Sequence, residues 1–369
     1  MDTAKPLNPV DTLLNLAPFT QPSEDTDVLF IDAMKASIEY CAEMEPLFDR
    51  WLKARSIDVS QIKRIVDFPY FPSSIFKHVQ FGETAAVVRT LQSSGTTSQL
   101  KSIIRLDSTT SRRQTKVLTK ILSALLGKSR RPFLILDVEP KTNTNDHTLS
   151  ARIAGMSGYL MAAKSRTFVG SETDGAITLN RELMTAVCEK LYAENNPPVI
   201  IGYTYMVFHL LLESGINLRG MLPAGTSLLH FGGWKKLKDR RVPKHEFNNR
   251  IHDVTGMPLS ELFDVYGFTE QLGAVYPSVG NSPAKVPVYS RVIVRDPTTL
   301  RPALDGETGL LQFLCPIPNS YPGQSLLNDD LGSGSQSDNG YYNEFYIRGR
   351  PDNAIARGCG DTLPKGFYL

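Results

Sequence analysis

Paired cysteines, an unbroken apolar run and a surplus of charge of either sign are all missing from this chain of 369 residues. Its four cysteines, Cys41, Cys188, Cys315 and Cys359, stand far apart. That spacing argues against a disulfide framework or a zinc knuckle, and the thiols are expected to be reduced. The most apolar stretch, 197–212, contains Tyr203, Tyr205 and His209. It falls short of the roughly 20 residues a membrane-spanning helix needs and reads as core. Residues 1–16 carry Asp2 and Asp11 and no apolar centre, so neither a signal peptide nor a transit peptide is indicated and a cytoplasmic location is expected. Forty Lys plus Arg against 38 Asp plus Glu leave a net charge of +2. No global field is available for nucleic acid or an anionic bilayer, so partners must be recognised locally. The six histidines show no HExxH or comparable metal spacing.

What is present is the composition of a folded protein: 41% hydrophobic and 21% charged residues, without a long low-complexity tract or an internal repeat. The length fits one large domain, or a large and a small one. Residues 25–52 place Leu29, Met34, Ile38, Cys41 and Leu47 near helical spacing, with Ser23 and Asp25 as candidate caps, which predicts a helical N-terminal region over about residues 1–65. Strand-like runs at 132–136 and 199–201 then alternate with helical stretches at 181–193 and 205–213. Such alternation predicts an α/β sheet domain. From 286 to 314 the pattern changes to Val288, Val292, Val294, Leu310, Leu311 and Phe313, broken by Asp296-Pro297 and Asp305-Gly306. It reads as a β-rich subdomain with turns. Residues 332–340, GSGSQSDNG, have a linker's composition and are expected to form a mobile loop before a short strand at 344–347.

Several segments carry chemistry. Residues 91–101, LQSSGTTSQLK, set Gly95 among Ser93, Ser94, Thr96, Thr97 and Ser98. Such a loop can present backbone N–H groups and hydroxyls to phosphate oxygens, although a plain polar turn accounts for it equally well and the Walker A spacing is absent. In VYGFTEQLGAVYP, 265–277, Tyr266 can lay its ring on a base, Gly267 lets backbone approach, and Glu270 is a hard oxygen ligand suited to Mg²⁺ held against phosphates. Alone, Glu270 reads as a surface carboxylate. LLHFGGWKKL, 228–237, is an apolar strand ending at Gly232-Gly233, where a flat ring can lie against backbone. Asp329-Asp330-Leu331-Gly332 supplies carboxylates for ribose hydroxyls, or forms a plain turn, and RGRPDNAIARG, 348–358, brings Arg350 and Asp352 into one loop.

SSGTTSQLK, VYGFTE, DDLG and GRPDNAIARG, in that order, resemble the successive core motifs of the adenylate-forming superfamily, which includes acyl-CoA ligases and peptide-synthetase adenylation domains. Within it, FPYFPSSIFK at 68–77, HFGGWKK at 230–236 and GRPDNAIARGCG near the C-terminus make the chain most similar to the acyl-protein synthetases of bacterial luminescence operons, the LuxE family. The resemblance implies the large N-terminal α/β domain of that superfamily over 1–348 and a hinge and short tail over 349–369. It implies ATP-dependent activation of a carboxylic acid, a fatty acid above all, to an acyl-adenylate, with transfer of the acyl group to a cysteine for delivery to a partner such as a fatty acyl reductase. By the family's motifs, Ser93, Ser94, Gly95, Thr96 and Thr97 would cradle the phosphates. Tyr266 and Gly233 would flank adenine, Thr269 would touch the α-phosphate, Glu270 would hold Mg²⁺, Asp330 would bind ribose, and Arg350 would reach ribose or phosphate.

Ser98 and Leu100 depart from the Gly and Pro common at those motif positions. The superfamily's C-terminal lid, with its adenylating lysine, is expected to be missing, as in synthetases of the luminescence type; Lys365 is either a substitute or a solvated tail charge. Cys359 lies between Gly358 and Gly360, two residues after Arg357. Small neighbours and a nearby cation favour an accessible thiolate, so it is either the acyl acceptor or an incidental tail thiol, whereas Cys41, Cys188 and Cys315 sit in apolar contexts and read as core fillers. His147 and His230 either line the acyl pocket or are hydrogen-bonded structural histidines. The basic cluster from Lys235 to Lys244 either docks an acidic partner or is a solvated face. Two other functions compete: an acyl- or aryl-CoA ligase of the phenylacetate-CoA ligase type, and a non-catalytic nucleotide-binding subunit.

Overall fold

Strands Val199–Tyr203 and Ser227–Phe231 are buried at every position, which is the behaviour of strands covered on both faces in a parallel sheet. In the computed structural model, which describes residues 8–82, 86–92, 101–140 and 155–350, they occupy the middle of a six-stranded sheet. Its order is Tyr276–Val279, Leu262–Tyr266, Ser227–Phe231, Val199–Tyr203, Arg131–Ile135, Ala163–Phe168. All neighbours are parallel except the edge strand Tyr276–Val279. The intervening helices include Arg181–Ala193, capped by the Asn180 side chain on Leu183 N, and Lys244–Thr255, closed by Gly256 in the left-handed region at φ 75°.

A second sheet runs Ala284–Lys285, Glu344–Gly349, Ser325–Ser333, Gly309–Leu314, Arg291–Arg295, with antiparallel neighbours; Phe71–Pro72 adds to Ser325–Ser333 in parallel. This is the expected β-rich part. Two local readings change. Residues 329–332 do not turn but lie inside the strand Ser325–Ser333. The expected mobile linker at 332–340 instead begins in that strand and continues as a hydrogen-bonded turn: Gln336 N donates to Asp305 at 2.6 Å, Ser337 N to Tyr341 O at 2.9 Å, and Asn339 Nδ2 to Asp27 at 2.8 Å. Small polar residues there serve a tight tertiary fit, which composition alone does not distinguish from a linker.

The N-terminal region is helical as predicted, with helices Pro9–Leu13, Glu24–Met44 and Pro46–Ala54. Ser23 forms the expected cap, in a reciprocal box with Thr26. Pro46 has no N–H to continue the helix Glu24–Met44 and is suited to open the next, so the chain breaks at Glu45. The stretch 205–213 is helical as expected, but as a short α turn, Thr204–Met206, followed by a π turn, Val207–Leu212. No helix among the described residues is long and apolar enough to cross a membrane.

Candidate functional site

Because Tyr203 pairs with Phe231 and Phe231 with Val265, the three parallel strands end within one residue of each other. The segments leaving them, Thr204, Gly232-Gly233 and Tyr266-Gly267, emerge at one edge. The carboxyl edge of a parallel sheet is where ligands bind in folds of this kind. Gly232 adopts φ 75°, and a Cβ at Gly233 would meet nothing within 4 Å, so exposed backbone there has an open face.

Tyr266 closes its strand and turns toward the second sheet. Its half-buried ring stacks on Phe313 at 5.6 Å and 24° and meets Phe345 edge-on at 6.2 Å. Its hydroxyl donates to Asp330 Oδ2 at 2.5 Å, and Asn328 Nδ2 donates to the same oxygen at 3.2 Å and to the Tyr266 hydroxyl at 3.0 Å. Arg350 Nε donates to Asp330 Oδ1 at 2.5 Å. Burial, reinforced by the Asp330 charge, pushes the Tyr266 hydroxyl well above its ordinary range, so it stays a neutral donor. Burial opposes charge on Arg350, but Asp330 outweighs it and holds the guanidinium protonated.

Immediately after this strand the turn Thr269–Gln271 buries all three of its residues. Hydrogen bonds to the 313–324 segment fix it: Gln271 Nε2 donates to Gly323 O at 2.9 Å and to Phe313 O at 3.3 Å, and the Tyr321 hydroxyl donates to Glu270 O at 3.0 Å. Glu270 is only 6% exposed. No group of three or more His, Cys, Asp or Glu side chains that could hold a metal ion occurs among the described residues. A buried carboxylate such as that of Glu270 is a hard oxygen donor, the kind of group that Mg²⁺ takes together with phosphate oxygens and water.

The structure thus brings Tyr266, Asp330 and Arg350 into direct contact, sets Thr269 and Glu270 in the adjoining turn, and puts Gly233 at the end of the neighbouring strand. Ser93, Ser94, Gly95, Thr96, Thr97, Cys359, Asp352, Lys365 and His147 lie outside the described residues; the strands flanking the hydroxyl-rich loop, Arg89–Gln92 and Ile103–Leu106, pair with Gln92 opposite Ile103. His230 is a buried, hydrogen-bonded histidine, its Nδ1 2.9 Å from Thr204 Oγ1 and its ring edge-on to Phe247 at 5.2 Å. Burial pushes its pKa down, against the pull of Asp264, so the ring is neutral. In the basic cluster Arg240 pairs with Glu213, and Lys244 lies 3.6 Å from Asp264 and donates to Ser278.

Sequence reasoning missed Asn328, Gln271 and Tyr321. Asn328 stands two residues before Asp330 on one strand, a spacing that puts both on one face and was there to be used. For Gln271 and Tyr321 no local pattern exists, since their partners are backbone carbonyls of other segments.

A family profile described as "Acyl-protein synthetase, LuxE" matches residues 7–368. A long-chain-fatty-acid–luciferin-component ligase of Vibrio harveyi is 23% identical over 277 residues, 73% of this chain and 70% of that protein. The Aliivibrio fischeri protein of the same name is 25% identical over 132 residues, 35% of this chain and 34% of its own length, so that match spans about a third of the relative. Among solved structures, an open conformation of 2-hydroxyisobutyryl-CoA ligase in complex with 2-HIB-AMP and CoA superposes with a TM-score of 0.63 at 16% identity, covering 91% of this chain and 77% of that one. The postadenylation state of the same ligase gives 0.64. The shared fold is that of the large domain of adenylate-forming enzymes. With the family profile running over nearly its whole length, the chain belongs to the acyl-protein synthetase, LuxE, family.

Proposed function

We propose that this chain is an ATP-dependent ligase that activates a carboxylic acid as its acyl-adenylate and passes the acyl group to Cys359 for delivery to a protein partner such as a fatty acyl reductase. The names of its relatives favour a long-chain fatty acid. In the first step an oxygen of the acid's carboxylate bonds to the α-phosphorus of ATP and the bond to pyrophosphate breaks. In the second, the Cys359 thiolate attacks the acyl carbonyl carbon, the bond to AMP breaks, and the thiol's proton has gone to solvent. A carboxylate is a poor electrophile; AMP as leaving group lowers the barrier and the thioester keeps that activation.

The observation that carries this reading is the joining of Tyr266, Asp330 and Arg350 beside the buried turn Thr269–Gln271. Tyr266 and the open backbone at Gly233 flank adenine, Asp330 accepts from a ribose hydroxyl, Arg350 reaches ribose or phosphate, and Thr269 touches the α-phosphate. Ser93, Ser94, Gly95, Thr96 and Thr97 cradle the phosphates. Glu270 is the residue that would hold Mg²⁺, which when bound neutralises phosphate charge as the α-phosphorus is attacked. The tail over 349–369 acts as hinge and carrier.

The test is ATP–pyrophosphate exchange with a panel of fatty and aromatic acids. Wild type is expected to exchange, and Glu270→Gln, which keeps shape but loses charge, to be slower by about 10²-fold. Equal rates for the two proteins would remove Glu270 from the reaction. ATP binding without acid-dependent exchange would instead mark a non-catalytic nucleotide-binding subunit, and rapid release of product as acyl-CoA would mark a CoA ligase.

A further inference from the structure

Thr204 is the first residue past strand Val199–Tyr203 and is 6% exposed. It has no place among the nucleotide-binding residues, yet its hydroxyl reaches across to the end of the next strand. Oγ1 lies 2.9 Å from Gly232 O, 3.3 Å from Phe231 O and 2.9 Å from His230 Nδ1. A hydroxyl has one hydrogen to give and two lone pairs to receive. Given to Gly232 O, the shorter carbonyl contact, that hydrogen is spent, so Nδ1 must be the donor in the third contact. His230 then carries its proton on Nδ1 and leaves Nε2 bare. Burial keeps the ring neutral, so one of its nitrogens carries a proton and the other does not. Around the ring stand Thr204, Asp264 with its Oδ1 at 3.7 Å from Nδ1, Lys244 beyond Asp264, and the apolar edge of Phe247.

A directed chain results: His230 Nδ1–H to Thr204 Oγ1–H to the Gly232 carbonyl. Its far end is the carbonyl of the peptide that joins Gly232 to Gly233, next to the open face of Gly233. Gly232 is in the left-handed region, with φ 75°, and its own Cα faces the Tyr203 ring, which a Cβ would meet at 3.2 Å. Tyr203 and Phe231 pack edge to face at 4.7 Å, so the base of this turn is already rigid. The carbonyl that Thr204 holds belongs to the next peptide, between Gly232 and Gly233.

We propose that Thr204, oriented by His230, is a positioning residue that holds the Gly232–Gly233 peptide and thereby sets the affinity of the site for the adenine end of ATP. This rests on the reading above that Gly233 flanks adenine. Neither side chain touches nucleotide; both act through backbone.

The experiment is titration of the full chain with ATP in the absence of acid, followed by steady-state pyrophosphate exchange. Thr204→Val keeps shape and loses the hydroxyl; it is expected to weaken ATP binding about 3–10-fold, the worth of one hydrogen bond. KM for ATP should rise by the same factor while kcat stays within about twofold. Thr204→Ser should restore wild-type affinity. His230→Phe, which fills the ring's space and cannot donate, should reproduce part of the loss and provides the readout if Thr204→Val does not fold. Wild-type ATP affinity in Thr204→Val, or in His230→Phe where that variant alone folds, would overturn the proposal, as would a loss confined to kcat or to thermal stability. A wild-type chain that binds no ATP would overturn the nucleotide-site reading itself, a distinguishable result.

Discussion

Asp330 has one carboxylate oxygen filled and one with room. Among the described residues, Oδ2 accepts from Tyr266 and Asn328, which uses both of its lone pairs, while Oδ1 accepts from Arg350 alone. In the proposed function it is Oδ1 that a ribose hydroxyl meets, and Arg350 holds that oxygen in place. The cysteines divide as sharply. Burial pushes the thiols of Cys41 and Cys315 up to about 12 and that of Cys188 up to about 11. None of the three is a thiolate at neutral pH, and all are buried. Iodoacetamide at pH 8 is expected to leave Cys41, Cys188 and Cys315 unmodified in the folded protein and to modify them once it is denatured, as read by peptide mass mapping. Rapid native-state alkylation of any of these three would contradict the burial described. Their role as core fillers was legible from apolar neighbours in sequence. The Asp330 cluster was legible only as separate motifs, because Tyr266 and Asp330 meet across 64 positions of chain.

The first long helix is fastened to the second sheet by one buried ion pair. Arg291, 2% exposed, donates through Nη2 to Asp27 at 2.8 Å and through Nη1 to Ser290 O at 2.8 Å, and its guanidinium lies 4.5 Å from the Phe30 ring. Tyr341 and Asn339 complete the carboxylate's partners at 2.9 and 2.8 Å. Removing one charge leaves the other buried without its partner, which costs about 3–5 kcal/mol. Arg291→Met is expected to lose stability of that size in urea unfolding, and the double replacement Asp27→Leu with Arg291→Met to recover part of it. An Arg291→Met midpoint equal to wild type would show that the pair does not tie helix to sheet. The elements themselves follow sequence closely: the predicted helix at 181–193 and the strands at 132–136 and 199–201 sit where the apolar periodicity puts them, to within a few residues. The 332–340 turn departs from its reading because Asn339 and Tyr341 are recruited by Asp27, a residue more than 300 positions away, and no local window contains that information.

At the scale of the whole molecule, two sheets meet so that the carboxyl ends of one and the strand Ser325–Ser333 of the other close on Tyr266. The proposed adenylation site lies there, and in the proposed second step the acyl group passes to a sulfur. Burial sets the three described thiols apart from Cys359, the proposed carrier. Its distance from the site is bounded by covalent geometry alone: it follows Arg350, a residue of the site, by so few positions that its Cα lies within roughly 30 Å of that residue's Cα whatever path the chain takes. Proximity of this order makes transfer within one molecule feasible. Incubated with ATP and labelled fatty acid, the wild-type protein is expected to carry a label that neutral hydroxylamine releases, as a thioester does. Cys359→Ser keeps a hydroxyl of similar shape but has almost no anion at neutral pH; it should still exchange pyrophosphate, since adenylation precedes transfer, and should lose the hydroxylamine-sensitive label. Label retained in full by Cys359→Ser, or mapped to Cys41, Cys188 or Cys315, would place the acceptor elsewhere and require the core to open during turnover.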